Sequence, residues 1–365
     1  MSRERPDDPR RVSRIIHVAS GREWRGGQHQ VLLLARGLHR HGIDTTVVTG
    51  AGTALAGRLQ AAGAAVEAVD WTVGLDPRVA IRLAGLLSRD TIVHAHDSHS
   101  HALADLVTRL RPASLVVSRR VAVRVRRRRR YRRADALIAI SRAVRQRLLD
   151  AGVDPGRIHV IPDAIDPDDV SSNDTGGTSA PRSADLPLIV CVAALTREKG
   201  IDILLDSAAL VRAANPRVRW QVIGEGPERG TLEAQRHRLG LEAVVELSGA
   251  GASAATAFRD ATIAVQPSRS EGLGSAVLQA LALGIPVIAT DAGGLPDAIG
   301  HGGGLLVPAE SPVELARAVQ RLLSDRSERE RLGADGRVAA GYFSLEKLVE
   351  RTVDVYRSIA HFRDS

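Results

Sequence analysis

Apolar runs with the length of buried strands alternate with stretches of helical periodicity along the whole chain. RIIHVA (14–19) is the first such run. A loop, GREWRGGQHQ, follows it, and then a helical run, VLLLARGLHRHG, closed by Gly42. Further strands are expected at 45–49, 66–69, 91–94, 115–118, 137–140 and 158–161, with helices between them and Ser141 as an N-cap. Residues 167–187 are rich in Ser, Gly, Pro and Asp and read as a linker. The alternation restarts at Leu188 with the strand LIVCVAAL and the helix IDILLDSAALVRAA. A strand running into a Gly-Glu-Gly-Pro loop (220–228), strands at 244–247 and 261–266, an apolar helix and one more strand come next. The tail carries three helical runs, the last from 344 to about 361. Strands that alternate with helices argue for parallel sheets with helices on both faces. The expected class is therefore α/β, with Rossmann-like domains at 1–166 and 188–343 and a final helix at 344–365.

Composition narrows this picture. The 365 residues suffice for two domains, and 44% hydrophobic with 25% charged residues is the balance of a globular protein. Aromatic residues make up only 2%, so the core must be aliphatic. Cys191 is the one cysteine, which excludes an intramolecular disulfide, and its apolar surroundings mark it as a buried small hydrophobe. MSRERPDDPRR has no apolar core to act as a secretory signal, and no apolar stretch reaches a membrane span, so a cytoplasmic location is expected.

The densest candidate chemistry lies at 266–297, QPSRSEGLGSAVLQALALGIPVIATDAGGLPD. Glu271 stands directly before the apolar helix, and Gln279 lies eight positions on. In the stretch Glu271-Gly272-Leu273-Gly274, the two glycines leave the backbone free to approach a ligand and to take positive φ. The helix start adds unpaired N–H groups suited to phosphate or sugar oxygens. An acid in such a place is by itself also an ordinary first-turn residue. Arg197 and Lys199 aim two cations at the end of the strand 188–195. Gly26 and Gly27 open the first helix in what is otherwise a plain βα turn, and Gly224 and Gly226 break the 220–228 loop.

Two further clusters leave alternatives open. HAHDSHSH (94–101) begins at a strand end, but His96, His99 and His101 lack firm zinc spacing and have no cysteine partner, so no metal site is expected. Asp166-Pro167-Asp168 imitates a metal-binding D-x-D within the linker and is not read as one. Residues 119–133, RRVAVRVRRRRRYRR, hold ten arginines and no acid. A nucleic-acid patch is disfavoured by the near lack of aromatics, which leaves a solvated face or an anionic membrane surface, where each basic residue contributes about 1 kcal/mol. Alternation of Val121, Val123 and Val125 suggests a strand-like part.

Taken together, GGQ, EKG, EGLG and AGGLPD in this order resemble the signature of retaining GT-B glycosyltransferases of family 4, over nearly the whole chain. The resemblance implies two Rossmann-like domains facing a cleft, with the last helix crossing back to the first domain. It implies that Glu271 holds hydroxyls of the transferred sugar and that Gln279 takes the place of an acid holding the ribose. Lys199, with Arg197 standing in for an arginine absent at Ala194, would serve the donor diphosphate. Amides of Gly26 and Gly27 would lie near that phosphate, and the Gly224–Gly226 loop near the base. A histidine, His96 or His99, would line the acceptor side. The implied partners are a nucleotide-diphosphate sugar, UDP or GDP, and a glycan or lipid-linked acceptor of envelope polysaccharide or lipopolysaccharide synthesis, with 119–133 docking on the membrane. No metal or other cofactor is implied. Gln279 and Ala194 leave open a degenerate, non-catalytic binding protein, and a nucleotide-sugar epimerase is the third reading.

Overall fold

A computed structural model describes residues 14–363 apart from 73, 126, 166–185 and 250–253. The N-terminal stretch to residue 13, the Asp-Pro-Asp motif and the linker reading, except for 186 and 187, therefore lie outside the described residues. The chain divides into two compact units, Met1–Ala164 with Leu345–Ser365, and Ile165–Ser344.

The first unit is built on strands β1 (Arg14–Ala19), β2 (Thr45–Gly50), β3 (Ala65–Val69), β4 (Thr91–Ala95), β5 (Ser114–Arg119), β6 (Ala136–Ala139) and β7 (Ile158–Val160). They form one sheet in the order β3-β2-β1-β4-β5-β6-β7, and all pairings are parallel. Between them run α1 (Gly26–Arg40), α2 (Ala54–Ala61), α3 (Pro77–Leu86), α4 (Ser98–Leu110), α5 (Arg128–Arg133) and α6 (Arg142–Leu149). Local signals explain several starts. The Thr53 and Ser141 hydroxyls accept from Ala56 and Val144 amides, and Asp76 caps α3 ahead of Pro77.

The second unit carries β8 (Leu188–Val192), α7 (Ile201–Ala214), β9 (Arg219–Ile223), α8 (Arg229–Arg238), β10 (Val245–Ser248), α9 (Ala254–Phe258) and β11 (Ile263–Gln266). Then come α10 (Ser275–Leu283), β12 (Val287–Thr290), α11 (Leu295–Ile299), β13 (Gly304–Val307), α12 (Pro312–Ser324) and α13 (Arg326–Ala340). Its sheet is also parallel, in the order β10-β9-β8-β11-β12-β13. The core joins Ile189, Leu204, Val222, Val265 and Val319, all within 2% of complete burial. Cys191 belongs to it, and burial pushes its thiol up to about 12, so it packs as an apolar side chain and is not a reactive one.

The last helix, α14 (Leu345–Arg363), belongs to the first unit, where Val349, Val355 and Tyr356 bury against Ile15, Leu33, Leu34 and Val116. No helix among the described residues is long and apolar enough to cross a membrane.

One expected element does not form. The alternating valines near 121–125 are not a strand: β5 ends at Arg119 and the next regular element is α5. The segment is held by side chains. Arg119 donates to the Tyr131 hydroxyl at 2.8 Å, Arg120 pairs with Asp163 at 3.0 Å, and Arg133 pairs with Asp105 at 3.2 Å. Ala122 and Val125 are buried, while Val121 and Val123 are exposed. Part of the arginine run is thus structural, which its charge density alone conceals.

Candidate active-site residues at two sheet switch points

In each parallel sheet the strand order reverses once, between β1 and β4 in the first and between β8 and β11 in the second. Adjacent loops leave such a pair in opposite directions and open a crevice beyond the carboxyl ends.

In the second unit, β8 leads to a short 3-10 turn, Arg197–Lys199, and β11 leads to the loop before α10. Lys199 Nζ lies 2.7 Å from Glu271 Oε2, with both side chains largely shielded. The buried Ser268 hydroxyl donates to the same oxygen at 3.3 Å, and the Gly272 amide to Oε1 at 3.3 Å. Its carboxylate thus accepts from one cation and from two neutral donors. Glu271 is also fixed through its carbonyl, which accepts from the Gly294 amide at 3.0 Å. Arg197 is exposed, and among the described residues its guanidinium has no partner.

The glycines divide. Gly274 takes φ of 97° as the N-cap of α10, but Gly272 is not in the positive-φ region, a correction to the expectation for both. Leu273 is buried beside it, so it reaches a ligand only through its backbone. Gln279 is half-buried in the second turn of α10. Gly224 and Gly226 pack directly on the carbonyls of Ala193 and Leu195, so their loop lies against the strand end after β8. Arg229 pins this loop, donating to the Gly224 carbonyl at 3.1 Å and to Glu225 at 2.8 Å.

In the first unit the joint between the two loops is Asp97. Its carboxylate accepts from the Ser20 amide at 2.7 Å and the Ser20 hydroxyl at 2.5 Å, and caps α4 through His99 and Ser100 amides. Beside it lies a cavity of about 650 Å³ lined by Arg22, Arg25, Trp71, Asp97 and His99 among others. Gly26 and Gly27 open α1 next to it, and the Arg25 N-cap satisfies no amide through its side chain.

His96 requires correction. The residue is 7% exposed and both ring nitrogens are taken. Arg120 donates to Nδ1 at 3.3 Å, so neutral His96 carries its proton on Nε2 and donates to His17 Nδ1 at 2.8 Å. That leaves the His17 Nε2 proton buried without a partner among the described residues. His96 is a core residue, and His99 is the histidine that faces the cavity.

Sequence reasoning also missed the cluster His17, His94 and His96, whose nitrogens lie within 4.8 Å of one another. Such a set invites a metal, but its geometry answers otherwise. Two nitrogens on one tetrahedral zinc stand roughly 3.3 Å apart, further than the bonded pair here. His94 is committed to the Tyr356 hydroxyl at 2.6 Å and to Ser118 at 2.8 Å, and the Arg120 charge sits alongside. These residues do not fit a cation.

Burial holds the three rings neutral, with His17 lowered to about 3, and Arg120 adds to the effect. In the unfolded chain a histidine takes up a proton near 6.5. Their contribution to stability is thus complete above that value and declines as pH falls from it toward 3, by up to about 1.4 kcal/mol per pH unit for each ring. The melting temperature is expected to fall between pH 7 and pH 5 at fixed ionic strength. Calorimetry showing an unchanged or rising value would contradict the neutral cluster. The window stops at pH 5 because Asp163, raised by burial, opposes the trend lower down.

Comparison with known proteins places this geometry among relatives. Residues 24–169 match the family model described as Glycosyltransferase Family 4, and 179–339 match Glycosyl transferases group 1. A D-inositol 3-phosphate glycosyltransferase of Geodermatophilus obscurus is 34% identical over 244 residues, covering 62% of this chain and 53% of the relative. An alpha-maltose-1-phosphate synthase of Mycobacterium tuberculosis is 31% identical over 247 residues, covering 62% and 64%. The match to the first of these spans about half of the relative's length. Among solved structures, HepE of Anabaena in complex with UDP superposes with a TM-score of 0.80 at 19% identity, covering 94% of this chain and all of that one. A glycosyltransferase from Rickettsia africae gives 0.81 at 17%, covering 96% and 99%. At these identities the structural likeness establishes the shared two-domain fold.

Proposed function

From the premise that this chain belongs to the group 1 glycosyltransferases of family 4, with the GT-B fold, we propose that it transfers a sugar from a nucleotide diphosphate to an acceptor hydroxyl with retention of configuration. The observation that carries the reading is the Lys199–Glu271 pair at the switch point of the second sheet. As the glycosidic bond breaks, negative charge grows on the diphosphate. Lys199, Arg197, whose guanidinium has no partner among the described residues, and the open amides at the start of α10 stabilise that charge. Glu271 accepts from sugar hydroxyls and orients the ring, which is positioning and not proton transfer. Gln279 donates to or accepts from the ribose with an amide in place of a charge. The Gly224–Gly226 loop borders the base. These groups neutralise the diphosphate without a metal.

The acceptor is proposed to enter the cavity lined by Arg22, Arg25 and His99. Glu23 lines the same cavity and pairs with Arg25, so Arg22 and the His99 imidazole are the groups left to meet a compact, polar, phosphate-bearing hydroxyl compound, in keeping with the phosphorylated compounds in the relatives' names. Uridine is the first base to test, because UDP is bound in the Anabaena structure. A lipid-linked acceptor is the second reading. It is supported by Val121 and Val123, 49% and 57% exposed beside Arg124.

A thermal-shift panel of UDP, GDP, ADP and their sugars tests the donor site. A ligand at 100 times its Kd stabilises by about 2.7 kcal/mol. One nucleotide is expected to give a clear shift, and its sugar to turn over in EDTA, with phosphorylated polyols or with acceptors on anionic vesicles. A well-folded protein that none of them shifts would remove the donor reading, and turnover only with added metal would remove the metal-free account.

A further inference from the structure

We propose that Arg269 is a positioning residue that sets the Lys199–Glu271 pair by stapling the turn of one to the loop of the other. The inference rests on the donor-site reading above and extends it to a residue that contacts neither phosphate nor sugar in that reading.

The geometry is specific. Arg269 lies two residues before Glu271, in the loop after β11. Its Nη1 donates to the Arg197 carbonyl at 2.9 Å and to Asp202 Oδ1 at 2.8 Å, and its Nη2 to Asp202 Oδ2 at 2.7 Å. Asp202 stands in the first turn of α7, the helix that the Arg197–Lys199 turn enters. The Arg269 amide donates to the Glu198 carbonyl at 2.8 Å, so main chain and side chain grip the same turn from two directions. A bidentate fork fixes angle as well as distance, which a point charge does not.

Charge points the same way. Arg269 Nε lies 3.3 Å from Glu310 Oε1, so two carboxylates surround this one guanidinium. A cation so committed is not available to a diphosphate, in contrast with Arg197. Glu310 is the only non-glycine among the described residues with positive φ, at 58°, a conformation that costs about 1–3 kcal/mol. That strained residue directs its carboxylate toward Arg269. The pair of catalytic groups is separated by 72 residues of sequence, and the Arg269 fork is the side-chain link beside it.

The chain offers a direct readout, because it contains only two lysines, Lys199 and Lys347. Protein labelled with ¹³C at lysine Cε gives two side-chain resonances, assigned with Lys199→Arg. Arg269→Gln is expected to move the Lys199 resonance as Glu271→Gln does, while the exposed Lys347 resonance stays in place. An unmoved Lys199 resonance in folded Arg269→Gln protein overturns the proposal whether or not any sugar is transferred. Arg269→Lys keeps the charge but loses the fork, and is expected to move the resonance as well. A wild-type resonance in that variant would show that charge alone suffices and would also overturn it. If the glutamine variant does not fold, Asp202→Asn, which weakens the fork from the other side, must move the same resonance.

Turnover separates this idea from the reading it rests on. With an active wild type, Arg269→Gln is expected to lower kcat by about 10- to 100-fold, and to change the donor KM by less than about threefold, because displaced cations are missed most in the transition state. Loss of activity in Glu271→Ala with full kcat in Arg269→Gln would sink the staple alone. Unaltered transfer in Glu271→Ala would sink the donor site itself.

Discussion

Alanine at Glu271 is expected to lower kcat/KM for sugar transfer by on the order of 10²–10³-fold while leaving the fold intact. The size follows from what the carboxylate does. It is the acceptor for Lys199 at 2.7 Å, for the buried Ser268 hydroxyl and for the Gly272 amide, so its removal disorders three donors at once. Lys199 is left shielded and unpaired, and its ammonium turns to whatever acceptor is nearest. Lys199→Ala is expected to lower transfer by a similar factor, and the double variant by much less than the product, because the two act as a unit. The measurement is a double-mutant cycle in kcat/KM, with melting temperature as a fold control. Additive losses would show that the pair is a resting-state contact without a shared role.

Gly200→Ala is expected to cost nearly as much from outside the reacting groups. Gly200 has φ of 64°, and a Cβ there would stand 2.1 Å from the Pro267 carbonyl oxygen. That carbonyl belongs to the loop bearing Glu271, while Gly200 follows Lys199 directly. One of the two segments must move, and a displacement of about 1 Å at catalytic groups costs roughly 10²-fold. Gly63→Ala is the control. It has φ of 71° and nothing within 4 Å of the added Cβ, so it carries the backbone penalty of about 1 kcal/mol alone. Matching melting temperatures and matching turnover in the two variants would contradict the steric argument.

Much of this was legible beforehand because it is local. Each strand expected from an apolar run has an observed counterpart, because such a run between turn residues is a signal within a few positions; the strand expected from alternating valines at 121–125 does not. Glu271, Lys199 and Gly274 could be singled out for the same reason, each standing at a strand end or helix start. What remained hidden is chemistry assembled across the sheet. Nothing local marks Arg269, because its partner Asp202 lies 67 residues away. His96 looked available until Arg120 and His17 took its nitrogens. The arginine run looked like a uniform charge patch, because charge density carries no information about which side chains find partners such as Asp163 and Tyr131.

The assignment of α14 to the first unit has a consequence for how the chain matures. Val349, Val355 and Tyr356 complete a core begun by Ile15 and Leu33, with the whole of Ile165–Ser344 lying between them in sequence. The second unit is thus contiguous, and can close as soon as its own strands have left the ribosome. The first unit, although translated earlier, must wait with an unfinished apolar face until residues beyond 345 emerge. Domain-by-domain folding in order of synthesis is the usual rule, and this topology inverts it.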